Sequence, residues 1–183
     1  MRKLILTAAL TLAALPAFAA TSWNLEPTSK LTWAVPFNKQ PVTGQFDTWS
    51  ADIAFDPASL DTSRLTIKVD LTSVNSQDAN RDTTLKGPEF FNTAATPTAT
   101  FTSTKITKTA QGYVAAGNLT LAGVTKPLAV PFTLAINGPK AVAQGKIRLS
   151  RNAFGVGKGQ WKSASEIADI VEVSFTVNAV AKP

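Results

Sequence analysis

The chain has 183 residues, a formal charge of +6, and neither cysteine nor histidine. Their absence removes Ser-His and Cys-His catalysis and the thiolate and imidazole ligands that zinc, copper and iron sites generally need, so no cofactor, metal or enzyme activity is expected. Its 18 Lys and Arg residues are scattered singly, without the dense basic run and interleaved aromatics that grip a phosphate backbone, which argues against a nucleic-acid partner.

Residues 1–19 open with Arg2 and Lys3, continue as an apolar run from Leu4 to Leu15, and end on the small-residue pattern Ala17-Phe18-Ala19. This is the signature of a cleavable signal peptide, and the run is too short to span a membrane, so the expectation is an exported, periplasmic protein. Residues 20–183 fit one domain, stabilised by packing because no disulfide is available.

Apolar and polar side chains then alternate in segment after segment. Arg64-Leu-Thr-Ile-Lys-Val-Asp-Leu71 does so without a fault, and Val171–Ala179 repeats the pattern. This is the two-residue period of a half-exposed strand. Strands are expected at 29–37, 42–55, 64–71, 98–107, 111–122, 127–137, 141–150 and 170–180, with turn signals at Ala122-Gly123 and Asn137-Gly138-Pro139. Within 42–55 the apolar face moves from even positions (Val42, Phe46) to odd ones (Ile53, Phe55), which calls for a bulge near 47–50. Eight strands close a small antiparallel barrel. Residues 78–86 lack alternation, and the stretch from there to Asn92 suits one or two short helical turns that carry Phe90 and Phe91 across the mouth. The other long connection, 152–169, holds Phe154, Trp161 and the glycines of Gly155-Val-Gly-Lys-Gly159. It reads as a mobile loop or flap, since it follows no strand-to-helix phosphate-loop signature.

The aromatic residues fall mostly on the apolar faces. The wall residues expected are Trp33, Phe46, Phe55, Phe101, Leu119, Phe132, Phe154, Val173 and Phe175, with Phe90 and Phe91 at the entrance. An eight-stranded barrel can be packed solid or can hold one ligand, and composition divides these readings evenly. A tube of such strands would be roughly 25 Å deep. Candidate rim groups for a polar head are Arg81, Asp82, Lys126, Arg151 and Asn152.

Five segments, in this order and spacing, resemble the YceI-like family: Gly87-Pro-Glu-Phe-Phe-Asn92, Pro97-Thr-Ala-Thr-Phe-Thr-Ser103, Gly117-Asn-Leu-Thr-Leu-Ala-Gly-Val-Thr-Lys-Pro-Leu128, Leu149-Ser-Arg-Asn-Ala-Phe-Gly-Val156, and the closing strand 170–177. The resemblance implies an all-β, eight-stranded antiparallel lipocalin-like barrel that binds a long-chain isoprenoid lipid or a quinone without catalysis. It further implies association with a membrane b-type cytochrome, and homodimerisation. The family's histidines are absent from Glu26-Pro-Thr-Ser29 and Phe37-Asn-Lys-Gln40, so no head-group role transfers from them. The rival readings are a solid-cored β domain that acts through its surface and, more remotely, a carboxylate-dependent hydrolase.

Overall fold

The computed structural model describes residues 20–183, and the expected leader lies outside the described residues. Eleven strands appear: β1 (Ser22–Leu25), β2 (Lys30–Phe37), β3 (Gln40–Phe46), β4 (Trp49–Ala54), β5 (Arg64–Asp70), β6 (Val74–Asn75), β7 (Thr98–Thr109), β8 (Gly112–Leu121), β9 (Val124–Asn137), β10 (Lys140–Ser150) and β11 (Ile170–Ala181). They form a closed eight-stranded antiparallel barrel.

The difference between eleven and eight comes from two broken staves and one accessory strand. β1 and β2 both pair with β11, Leu25 opposite Ala179 and Lys30 opposite Thr176. Pro27 sits in the break between them, and Asn178 bridges it, its carbonyl accepting from Glu26 N–H at 2.8 Å and its N–H donating to Ser29 Oγ at 3.0 Å. The expected single strand 42–55 is likewise two, because β3 pairs with β2 while β4 pairs with β1 and β5. A full break at Asp47-Thr48, not a bulge, moves the inward positions from Phe46 to Trp49. The two residues of β6 extend the sheet beside Gln45 and Phe46. A bulge occurs instead in β7, between Ser103 and Lys105.

One end of the barrel is narrowed by aromatics. Phe55, Tyr113 and Phe132 meet there at ring-centroid distances of 5.3 to 6.1 Å, within a buried cluster that includes Trp23, Ile106 and Ala115. Edge-to-face and stacked contacts of this kind add to the area they bury. The cluster narrows this end of the tube, whose lining continues past it to Ile136, Ala141 and Ala179.

The other end is capped by two connections. Helix α1 (Ala79–Lys86) starts where the Asp78 carboxylate accepts N–H bonds from Asn80 and Arg81, each at 3.0 Å, the usual way of satisfying the free donors of a first turn. Residues 152–169 form the second connection, with short 3₁₀ turns at Asn152–Phe154 and Gly159–Lys162.

Candidate functional site

Beneath the cap lies a cavity of about 560 Å³, within the roughly 300–1,000 Å³ range of ligand pockets. The even positions of β9 (Leu128, Val130, Phe132, Leu134) and the odd positions of β11 (Val171, Val173, Phe175, Val177) face it. Apart from tryptophan N–H groups, the polar side chains on its wall are Asp78, Arg81, Thr84, Ser150 and Arg151. These come from residues 78–86 and from the mouth end of β10, so polarity is confined to one end of an apolar chamber.

All eleven wall and entrance residues named from the sequence line this cavity: Trp33, Phe46, Phe55, Phe90, Phe91, Phe101, Leu119, Phe132, Phe154, Val173 and Phe175. Phe55 and Phe132 belong both to this wall and to the aromatic cluster. Two aromatics lie flat because the facing strand is bare. Gly44 stands opposite Trp33 and Gly145 opposite Phe175, and a Cβ at either glycine would collide with the ring. The Trp33 indole N–H, on a residue 8% exposed, has no hydrogen-bond partner.

The cap is a single structure built from both connections. Phe90, Phe154 and Val156 are buried together against Leu85, Phe91, Leu121, Trp161 and Ile167; Phe90 lies 5.8 Å from Trp161 and Phe91 6.0 Å from Phe46, between ring centroids. The Glu89 carbonyl accepts from Gly157 N–H at 2.8 Å and Lys158 N–H at 2.7 Å. The glycine-rich stretch, expected to be mobile, is a tight bonded turn. Gly155, Gly157 and Gly159 occupy it with φ of 66°, 83° and 60°, a backbone region that glycine enters without strain.

The rim groups are rearranged relative to expectation. Arg151 is 4% exposed and belongs to its own loop. Its Nε donates to Ala168 O (3.1 Å), Nη1 to Val156 O (3.1 Å), Gly157 O (3.3 Å) and Asn152 Oδ1 (3.5 Å), and Nη2 to Ser163 O (3.1 Å) and Ile167 O (2.9 Å). With all five N–H groups engaged, none is left for a ligand head. Burial draws its pKa below the ordinary guanidinium value and nearby Asp169 opposes that. The Asp169 carboxyl is raised by burial, but N–H and hydroxyl bonds from Asn152 and Ser150, both at 3.0 Å, with the Arg151 charge, bring it below the usual value. Asp82 accepts from the N–H and hydroxyl of Ser76 at 2.9 and 2.6 Å, and the Asn152 side chain faces Arg151, so neither lines the cavity. Lys126 stands opposite Leu119, on the inward side of β9 near the mouth but outside the cavity wall. Arg81 remains on the wall, held by Ser76 Oγ at 2.9 Å and by the Asp78 carboxylate at 3.6 Å. Asp78, the acidic residue on that wall among the described residues, is committed to capping α1, so the paired carboxylates of a hydrolase do not meet here.

Residues 23–179 match the family model described as the YceI-like domain. The chain belongs to the YceI-like family. A UPF0312 protein of Shewanella oneidensis is 34% identical over 148 residues, covering 77% of this chain and 75% of that one. Others, from Yersinia enterocolitica and Shewanella baltica, are matched over about half of their length, 50% and 47%. The crystal structure of Burkholderia cenocepacia BcnA superposes with a TM-score of 0.79 at 32% identity, over 83% of this chain and 96% of BcnA. A domain of Saccharophagus degradans, described as polyisoprenoid-binding and implicated in plant cell wall breakdown, shares the fold at 18% identity, with a TM-score of 0.68 over 88% of this chain and 99% of that one. The YceI-like barrel thus joins an aromatic-lined base, an apolar chamber and a two-part cap.

Proposed function

We propose that this YceI-like protein sequesters one long-chain isoprenoid lipid or isoprenoid quinone, without catalysis, in the periplasm. The observation that carries the reading is the chamber of about 560 Å³ with polar side chains at one end only. An apolar tail gains on the order of 0.8 kcal/mol for each methylene it buries, and a polar head has Arg81 and Thr84 near it at the mouth. Phe55 and Phe132 narrow the lower part of the chamber, so selection is by length and shape. The isoprenoid class is supported by the family and by the shared fold with the Saccharophagus domain. Partnership with a membrane b-type cytochrome, and dimerisation, are implied by the family resemblance alone.

The test is organic extraction of the protein purified from its native cells, followed by mass spectrometry. One prenyl or quinone species at one equivalent per chain is expected. An empty extract from a protein that also takes up no added prenyl lipid would overturn the reading.

A further inference from the structure

One interval of the barrel wall has no hydrogen-bond ladder. β8 and β9 stay paired up to Leu121 opposite Val124, and β10 and β11 up to Ser150 opposite Ile170. β9 and β10, by contrast, part above the pair Phe132 and Gly145. Residues 124–131 and 146–150 therefore flank a seam that widens toward the mouth.

The sequence accounts for it. The Pro131 carbonyl faces β10, since a Cβ on Gly145 would meet it at 2.5 Å. Backbone groups along a strand alternate in direction, so residues 127, 129 and 131 all turn theirs to β10. Pro127 and Pro131 have no N–H to donate, and proline in a sheet is confined to unpaired positions of this kind.

Side chains alone fill the seam. Leu128, Val130, Ile147 and Leu149 flank it from within the cavity, and the Asn152–Phe154 turn lies over its upper part, touching both β9 and β10. Phe154 belongs to the cluster, with Phe90 and Val156, that packs against Leu121, Val124 and Leu149. Among the described residues no hydrogen bond joins 152–169 to β9. The same connection is bonded to Glu89 and, through Asn38 N–H to Glu166 O (2.7 Å) and Ala168 N–H to Pro36 O (2.9 Å), to the β2 side. Against β9 it is held by side-chain packing without hydrogen bonds, and Arg151 holds it together as a unit. The outer lip of the seam on β9 is short, apolar and exposed: Pro127, Ala129 and Pro131.

We propose that the seam between β9 and β10 is the entrance of the cavity, through which an apolar chain slides sideways as the Phe154 turn swings off β9. A chain entering there need not thread end-first past the Phe90–Trp161 and Phe46–Phe91 contacts. The inference rests on the lipid-binding reading and adds the route.

Because the chain has no cysteine, a single introduced thiol can be labelled cleanly. Ala129→Cys and, at the β2–β3 turn of the mouth, Lys39→Cys are each coupled to a bulky polyethylene-glycol maleimide. Uptake and release of the polyene cis-parinaric acid are followed by stopped flow, with its equilibrium affinity measured alongside. The Ala129 conjugate is expected to exchange the probe at least tenfold more slowly at unchanged affinity, and the Lys39 conjugate at the rate of the unmodified protein. Phe154→Ala should speed exchange in both directions. Slowing at Lys39 alone, equal slowing at both sites, or no slowing at either would overturn the seam and leave lipid binding standing. Failure of the unmodified protein to bind either the polyene or a prenyl lipid would instead remove the reading beneath it.

Discussion

Gly145 lies beneath the ring of Phe175, its register partner on β11, and a methyl group on Gly145 would run into that ring and into the Pro131 carbonyl. The ring can lie along the cavity wall only because β10 offers bare backbone at that position.

Gly145→Ala should therefore cost stability and capacity together. Overpacking of this kind is worth about 1–3 kcal/mol, read from a denaturant titration, and the displaced ring should weaken polyene binding several-fold. A variant that is destabilised but binds normally would mean that Phe175 has moved along the wall without narrowing the chamber.

Trp23 and Trp33 are both buried, but only Trp23 has a hydrogen-bond partner, donating to Phe55 O at 3.0 Å. Trp23→Phe leaves a buried carbonyl unsatisfied, a loss of about 1–3 kcal/mol. Trp33→Phe removes an unpartnered N–H and should change stability by less than about 1 kcal/mol. Paired thermal melts decide the comparison, and equal losses would show that the Trp33 N–H is satisfied in solution.

Arg151→Met should loosen 152–169 as a whole, since it deletes the donors that six oxygen atoms of the loop share. Faster hydrogen exchange across 156–168 is the expected readout. Arg151 itself stays protonated throughout the working range. Asp169 titrates instead: its folded pKa lies below the ordinary carboxylate value. Its contribution is thus complete above about pH 3.9 and is lost as pH falls through the lower folded value. Wild type should lose loop protection in that acid window, and Asp169→Asn should show no such step.

Val130→Trp places bulk in mid-chamber and should lower polyene affinity at least tenfold while the barrel remains folded. Phe132→Trp acts in the aromatic cluster against Phe55 and Tyr113, so its main effect should be on stability. Circular dichroism melts beside binding titrations separate the two, and a Val130→Trp protein that binds like wild type would remove the chamber from the proposed function.

Alternation by itself determined most of the barrel. The inward sets on β5, β9 and β11, and the wall residues that lie on strands, follow from the two-residue period, because a side chain in a strand has only two faces to choose between. The short helix was legible for the opposite reason, since 78–86 has no alternation and opens on a capping Asp.

Only the tertiary structure decided the rest, and most cases turn on contacts between residues far apart in the chain. That 42–55 divides between two sets of neighbours depends on where β1 and β5 end. A buried Arg151 and an exposed one look alike in sequence, because its partners are loop carbonyls, and every residue carries a carbonyl. Pro127 and Pro131 stand in plain view in the chain, but their missing donors have meaning only once β10 is seen to lie beside them unpaired. Whether the barrel holds a chamber or a packed core was likewise beyond composition, since the same aromatics serve both. The bare backbone at Gly44 and Gly145, which lets Trp33 and Phe175 lie against the wall, and the stacking of Phe55, Tyr113 and Phe132 at one end together leave the space at the other.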